Sequence, residues 1–199
     1  MGDFNARTAA RQSTCVPPAP IRISPDGTIL ASGGSLEKAL KKLYGNTYVV
    51  TAVTNVHTDG TCLNANTPLA QAGCGCHWNP NDPRNTSIRV PGEPTNNGAE
   101  LYGVLWAITH SWPLITLHIY TDSTYVIHSV CHWAPSRAAS GWKCKNADIL
   151  KDIVEAIHNR HAAVRFFWVQ GHAGNVNNEA ADALARHGAT LTPHSCKEL

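Results

Sequence analysis

Between Ser35 and Leu43 the segment SLEKALKKL sets Leu36, Leu40 and Leu43 at helical spacing behind a capping serine, which predicts a short helix. Ahead of it, Met1 to about Gly34 is rich in Pro, Ser, Ala and Arg and has no sustained apolar period. Residues 1–48 are therefore expected to form an N-terminal arm with one short helix, partly disordered. From Val49 the texture changes. A Val- and Thr-rich run, Val49 to Thr58, predicts a strand that ends at Asp59-Gly60-Thr61. Strands at Ala72 to Trp78 and Ser87 to Val90 follow, separated by the turn signal Asn79-Pro80-Asn81-Asp82-Pro83, so the three are expected to form an antiparallel meander.

Beyond Asn96-Asn97, Leu101, Leu105 and Ile108 recur on one face of a predicted helix that carries Glu100 in its first turn. A strand from Ile115 to Tyr120 ends at Thr121-Asp122-Ser123, followed by a helix from about Ser123 to His132 and a segment from Ala134 to Lys145. Ile149, Ile153 and Ile157 mark a helix over Ala147 to Arg160; a strand over Val164 to Val169 and a helix over Val176 to Gly188 close the pattern. The order βββαβααβα predicts a mixed α/β fold in one domain, residues 49–190, with a tail at 191–199. No internal repeat is visible.

Composition narrows the picture only slightly. The chain has 199 residues, 43% of them hydrophobic, enough for one core of ordinary size. Charged residues are 15% and the formal net charge is +2, so any affinity for nucleic acid has to come from local chemistry. The seven cysteines are odd in number and scattered, with neither a signal peptide nor an apolar run able to span a bilayer. The expectation is a reduced intracellular compartment, no membrane partner and a monomer. Cys74-Gly75-Cys76-His77 invites a zinc reading, yet no second close-spaced pair accompanies it, and buried thiols are the favoured reading.

Candidate chemistry lies in acids that secondary structure would present. Asp59 and Asp122 are placed at strand ends, Glu100 at a helix start and Asp182 on the last helix. If the first and fourth of these strands are neighbours, both aspartates emerge at one sheet edge and two helices can bring the other two acids over them. Four carboxylates together repel unless cations neutralise them, and oxygen-only ligands suit Mg²⁺ or Mn²⁺. Taken singly, a strand-end Asp before Gly is more often a turn former, and an early-helix Glu a partner of the helix dipole.

The local sequences around these acids are HTDGTC (His57–Cys62), TNNGAEL (Thr95–Leu101), YTDSTYV (Tyr120–Val126), GWKCKN (Gly141–Asn146) and VQGHAGNVNNEAADALA (Val169–Ala185). In this order they resemble the type 1 ribonuclease H family from about Val49 to Gly188. The resemblance implies a ribonuclease H-like α/β fold, a five-stranded mixed sheet of three antiparallel then two parallel strands, flanked by helices. It implies a catalytic domain over 49–190 and an endonuclease that cuts the RNA strand of an RNA/DNA hybrid with two Mg²⁺ ions, Mn²⁺ being a substitute, leaving 5′-phosphate and 3′-hydroxyl ends. Its carboxylate tetrad falls on Asp59, Glu100, Asp122 and Asp182, and its mobile histidine on His172, for proton shuttling or product release. Gly60, Thr61, Cys62, Asn96 and Asn97 match positions along the hybrid's minor groove. Thr95 and Asn146 match a DNA-strand phosphate site, and Trp133, with Trp142, an aromatic handle region. For Trp142 plain core packing is the stronger reading.

Two departures are visible. Only Cys144 and Lys145 separate Gly141-Trp142-Lys143 from Asn146, so the basic loop usual in the family is shortened, and Glu93 stands where many members carry an arginine for the phosphate. Rival classes are a non-catalytic hybrid-binding module and a structural domain of a retroelement-derived protein. Neither needs the complete tetrad with His172, which favours the enzyme. Housekeeping and retroelement roles remain alternatives.

Overall fold

The computed structural model describes residues 21–22, 34–46 and 52–192. The expectations for the rest of the arm and for residues 193–199 lie outside them. A helix, α1 (Gly34–Tyr44), precedes a three-stranded antiparallel meander of β2 (Val53–Leu63), β3 (Gln71–His77) and β4 (Thr86–Arg89). Helix α2 (Asn96–Thr109) then leads to β5 (Thr116–Thr121), which lies parallel to β2. Helices α3 (Thr124–His128), α4 (Ala134–Ala139) and α5 (Ala147–His158) follow, then β6 (Val164–Trp168), parallel to β5, and α6 (Val176–Thr190). The five-stranded mixed sheet is thus present, with one addition: Ile21–Arg22 of the arm forms a two-residue strand, β1, antiparallel to β6. The order across the sheet is β1-β6-β5-β2-β3-β4.

Alternation along β3 divides the layers, because successive side chains point to opposite faces. Cys74 and Cys76 are fully buried on the α2 side, where Cys76 Sγ meets the Gly103 carbonyl at 3.3 Å. Gly73 and Gly75 face α6, and a side-chain carbon on either would strike the backbone of that helix between Ala181 and Ala189. The main core gathers Val56, Leu101, Val104, Leu117, Ile119, Leu150, Ile153 and Phe166 between sheet and helices, and α1 joins it through Leu40 and Tyr44, whose hydroxyl donates to the Val130 carbonyl at 2.6 Å. Burying a leucine-sized side chain of this kind contributes about 1.5–3 kcal/mol.

Three local expectations need correction. Asp59 lies inside β2, not at its end, since pairing with β3 continues to Leu63 although parallel pairing with β5 stops at His57. Glu100 is the fifth residue of α2, one turn deeper than expected, because Thr95 is the cap and the helix begins at Asn96. The segment after His132 is also helical: a π turn at Ser129–Trp133 absorbs the change of path, and α4 starts with Pro135 in its first two positions, where a missing N–H costs nothing. No helix among the described residues is long and apolar enough to cross a membrane.

Candidate active site

The first half of β2 pairs with β5 and, from His57 on, its second half pairs with β3; β5 ends at Thr121, so the sheet opens just where Asp59 and Asp122 come close together. Helix α2 can approach because residue 60 is glycine: any side-chain carbon there would overlap the Ala99–Glu100 peptide. Close approach of a helix to a strand, and not turn geometry, is what the Asp-Gly pair serves. Glu100 is thereby lowered onto Asp59. Asp59, Glu100 and Asp122 each offer a carboxylate oxygen within 4.8 Å of the others.

Electrostatics at this point are unfavourable without counter-charge. Burial, then the Asp122 charge, push Asp59 up from 3.8 to about 7, with a smaller contribution from Asp182 and a partial offset from the Gly60 N–H, which donates to Asp59 Oδ1 at 2.7 Å. Glu100 is raised well above the ordinary carboxylate range, first by burial and then by the charges of Asp59 and Asp122. Its Oε2 is buried with no hydrogen-bond partner. A buried, unpartnered acceptor amid like charges is costly in isolation and is satisfied by a cation. The residues present therefore fit a hard divalent ion held by oxygen ligands.

Asp122 is further constrained. Asn178, on the first turn of α6 and buried, donates its Nδ2 to Asp122 Oδ2 at 3.0 Å, and Trp168 Nε1 donates to the Asp122 carbonyl at 3.0 Å. Gly171 packs against the same carboxylate so tightly that a Cβ there would collide with Oδ2. His172, next in the chain, therefore sits on a loop anchored beside the cluster; it is exposed and held at a left-handed φ of 51°. Asp182 is not drawn into the group of three. Arg186, one turn further along α6, donates Nε to both of its oxygens, at 3.0 and 3.1 Å.

Thr95 Oγ1 caps α2 by accepting from the Gly98 N–H at 3.1 Å. A side chain on Gly98 would touch that oxygen and come to 3.4 Å from Asn146 Oδ1, so Thr95 and Asn146 are brought together. Asn146 adopts φ 55° and donates Nδ2 to the Tyr125 hydroxyl at 3.1 Å. Asn96 and Asn97 are exposed, Thr61 and Cys62 half-buried, and Cys62 Sγ reaches the Pro94 carbonyl at 3.2 Å. Gly60 is buried under α2. Trp133 is 42% exposed, stacks on His128 and lies under the Arg137 guanidinium at 4.8 Å, whereas Trp142 packs against the core. Arg89 is committed elsewhere, donating to the Ala189 carbonyl at 2.6 Å. Cys74, Cys76 and Cys131 are buried free thiols, and the zinc reading finds no ligand cluster among the described residues.

Asn178, Gly171 and Arg186 were not singled out from sequence. A signal existed for two of them: in NNEAADALAR, Asn178 and Arg186 stand four residues on either side of Asp182 and share its helix face.

Residues 51–190 match the family model described as RNase H. The chain belongs to the RNase H family. It is 35% identical over 140 residues to ribonuclease H1 of Rattus norvegicus, covering 67% of this chain and 49% of that protein, so the chain spans about half the length of the mammalian relatives it matches. To ribonuclease H of Rhodopseudomonas palustris (strain BisB5) it is 34% identical over 148 residues, covering 71% of this chain and 94% of that one. Among solved structures, LC9-RNase H1, described as a type 1 RNase H with the type 2 active-site motif, superposes with a TM-score of 0.58 at 29% identity, covering 72% of this chain and 74% of that one. Kinship is with the type 1 family.

Proposed function

We propose that the chain is an endoribonuclease that hydrolyses the RNA strand of RNA/DNA hybrids with two Mg²⁺ ions, Mn²⁺ substituting, and leaves 5′-phosphate and 3′-hydroxyl ends. The observation that carries this reading is the convergence of Asp59, Glu100 and Asp122 within 4.8 Å, with Glu100 Oε2 buried and unpartnered. When bound, divalent ions supply the positive charge that favours in-line attack of water on the phosphate and departure of the 3′ oxygen.

The chain's own residues do the rest. Asp59, Glu100 and Asp122 hold the ions, Asp182 is the fourth ligand, and Asn178 and Gly171 fix the orientation of Asp122. His172 moves a proton at the mouth of the site. Thr95 and Asn146 hold a DNA-strand phosphate, while Gly60, Thr61, Cys62, Asn96 and Asn97 face sugars and base edges of a wide, shallow minor groove. Trp133 flanks the DNA strand, with Arg137 adding charge that the shortened handle lacks. Bacterial relatives named ribonuclease H, matched over most of their length, support a hydrolase of this class. The five described cysteines are free, in keeping with an intracellular setting, and we take the chain to act as a monomer. Incubating the protein with a hybrid labelled separately on each strand, with and without Mg²⁺, tests the proposal. RNA-strand cleavage confined to the Mg²⁺ sample is expected, and cutting that survives full chelation would overturn it.

A further inference from the structure

Asp182 belongs to the four-carboxylate reading above, yet its oxygens are already occupied. Arg186 lies four residues on along α6 and its Nε meets both Asp182 oxygens, at 3.0 and 3.1 Å. The Asp182 side chain is 25% exposed and that of Arg186 61%, so the pair sits at the solvent side of the cluster. Asp59, Glu100 and Asp122 face one another with no such cation, and Asp182 stands outside their 4.8 Å group.

We propose that Arg186 is a built-in competitor for the cation at Asp182, and that it makes this the weaker of two cation-binding steps. The inference rests on Asp182 being a metal ligand. The Nε–H shared between both oxygens competes for lone pairs a divalent ion needs, and the guanidinium's positive charge opposes that ion's approach. Among the four acids Arg186 bonds Asp182 alone, so it acts through Asp182 as a positioning residue. It also lowers the cost of the metal-free state, since the fourth carboxylate is neutralised while the other three wait for an ion. Exposed i,i+4 pairs are weak, so the expected handicap is small, no more than about fivefold in affinity.

Binding of Mn²⁺ to the intact chain, followed by the magnetic resonance signal of free Mn²⁺, separates the possibilities without relying on turnover. Wild type is expected to take up Mn²⁺ in a tighter and a weaker step, and Asp182→Asn should lose the weaker one. Arg186→Gln should tighten the weaker step by about two- to fivefold and leave the tighter step in place, while Arg186→Lys, which keeps the charge, stays close to wild type. An unchanged or weakened second step in Arg186→Gln overturns the proposal, the latter because it would make Arg186 a helper of Asp182. If Asp182→Asn binds Mn²⁺ as wild type does, the fourth-ligand reading itself fails, whatever Arg186→Gln does.

Discussion

Replacing Asp59 by Asn should abolish turnover and at the same time stabilise the metal-free fold. In the folded, cation-free chain Asp59 is pushed up from 3.8 to about 7, mainly by burial and by the neighbouring charge of Asp122. Between those values the folded state holds a proton that the unfolded state has released, so stability is fully present below about pH 4 and falls as pH rises through about 7. Over that interval the loss approaches about 4 kcal/mol at 1.36 kcal/mol per pH unit, a ceiling because Glu100 shares the proton. Asparagine removes the charge, keeps an oxygen for the Gly60 N–H now bonded at 2.7 Å, and turns an amide N–H toward the remaining carboxylates. A domain of this size shifts its melting point by a few degrees per kcal/mol, so Asp59→Asn should melt on the order of 10 °C higher at pH 8 in chelator. The gap should close toward pH 4 and narrow at pH 8 when Mg²⁺ is supplied to the wild type, which alone binds it well. Thermal melts by circular dichroism across pH 4–8, with and without Mg²⁺, measure all of this. A variant no more stable than wild type at pH 8 in chelator, or a gap independent of pH, would show that Asp59 does not carry this cost.

Other outcomes follow from the same geometry. Asn178→Ala removes the Nδ2 donor to Asp122 Oδ2 and should raise the Mg²⁺ concentration for half-maximal cleavage several-fold, with most of the rate recovered at saturating Mg²⁺; a Mg²⁺ requirement identical to wild type would show that the bond is structural only. His172→Ala should slow turnover less than any change to Asp59, Glu100 or Asp122 and leave hybrid affinity in Ca²⁺ nearly unchanged, so a large binding loss would make His172 a substrate anchor. Glu93→Arg should tighten hybrid binding and steepen its salt dependence by about one counterion, because Glu93 is exposed near Thr95 and Arg89 is tied to the end of α6. If Glu93→Arg gains nothing at low salt while Arg89→Ala binds markedly worse, Arg89 is the phosphate ligand instead.

Elements whose period is strong in the sequence are present in the fold within a few residues: the β2–β4 meander, the helix bearing Ile149, Ile153 and Ile157, and the last helix. What local pattern does not carry is pairing. Asp59-Gly60-Thr61 looks like a strand end because Gly weakens strands, but β3 extends the ladder to Leu63, and the glycine is there for the backbone of α2. The segment from Ala134 gives no helical signal, since a π turn ahead of it has no periodic signature. Three of the four expected carboxylates do meet, whereas Asp182 stands outside their group and accepts from Arg186 on its own helix, a pairing invisible until the rotamers are placed. Asn178 looks like a polar surface position in the sequence; only the packing of α6 on the sheet buries it against Asp122. The two-residue strand β1 arises from an arm with no strand pattern, because the free edge of β6 accepts any extended backbone.

Clustered carboxylates are proposed to make this chain cut RNA paired to DNA. Cleavage of a hybrid labelled on the RNA strand, run side by side for wild type and Asp122→Asn in saturating Mg²⁺, tests it most directly. Internal cuts with 3′-hydroxyl ends are expected in the wild-type lane, with an intact DNA strand and an Asp122→Asn lane indistinguishable from buffer although the variant folds. RNA cleavage by Asp122→Asn at half the wild-type rate, or an uncut RNA strand in both lanes, would contradict it.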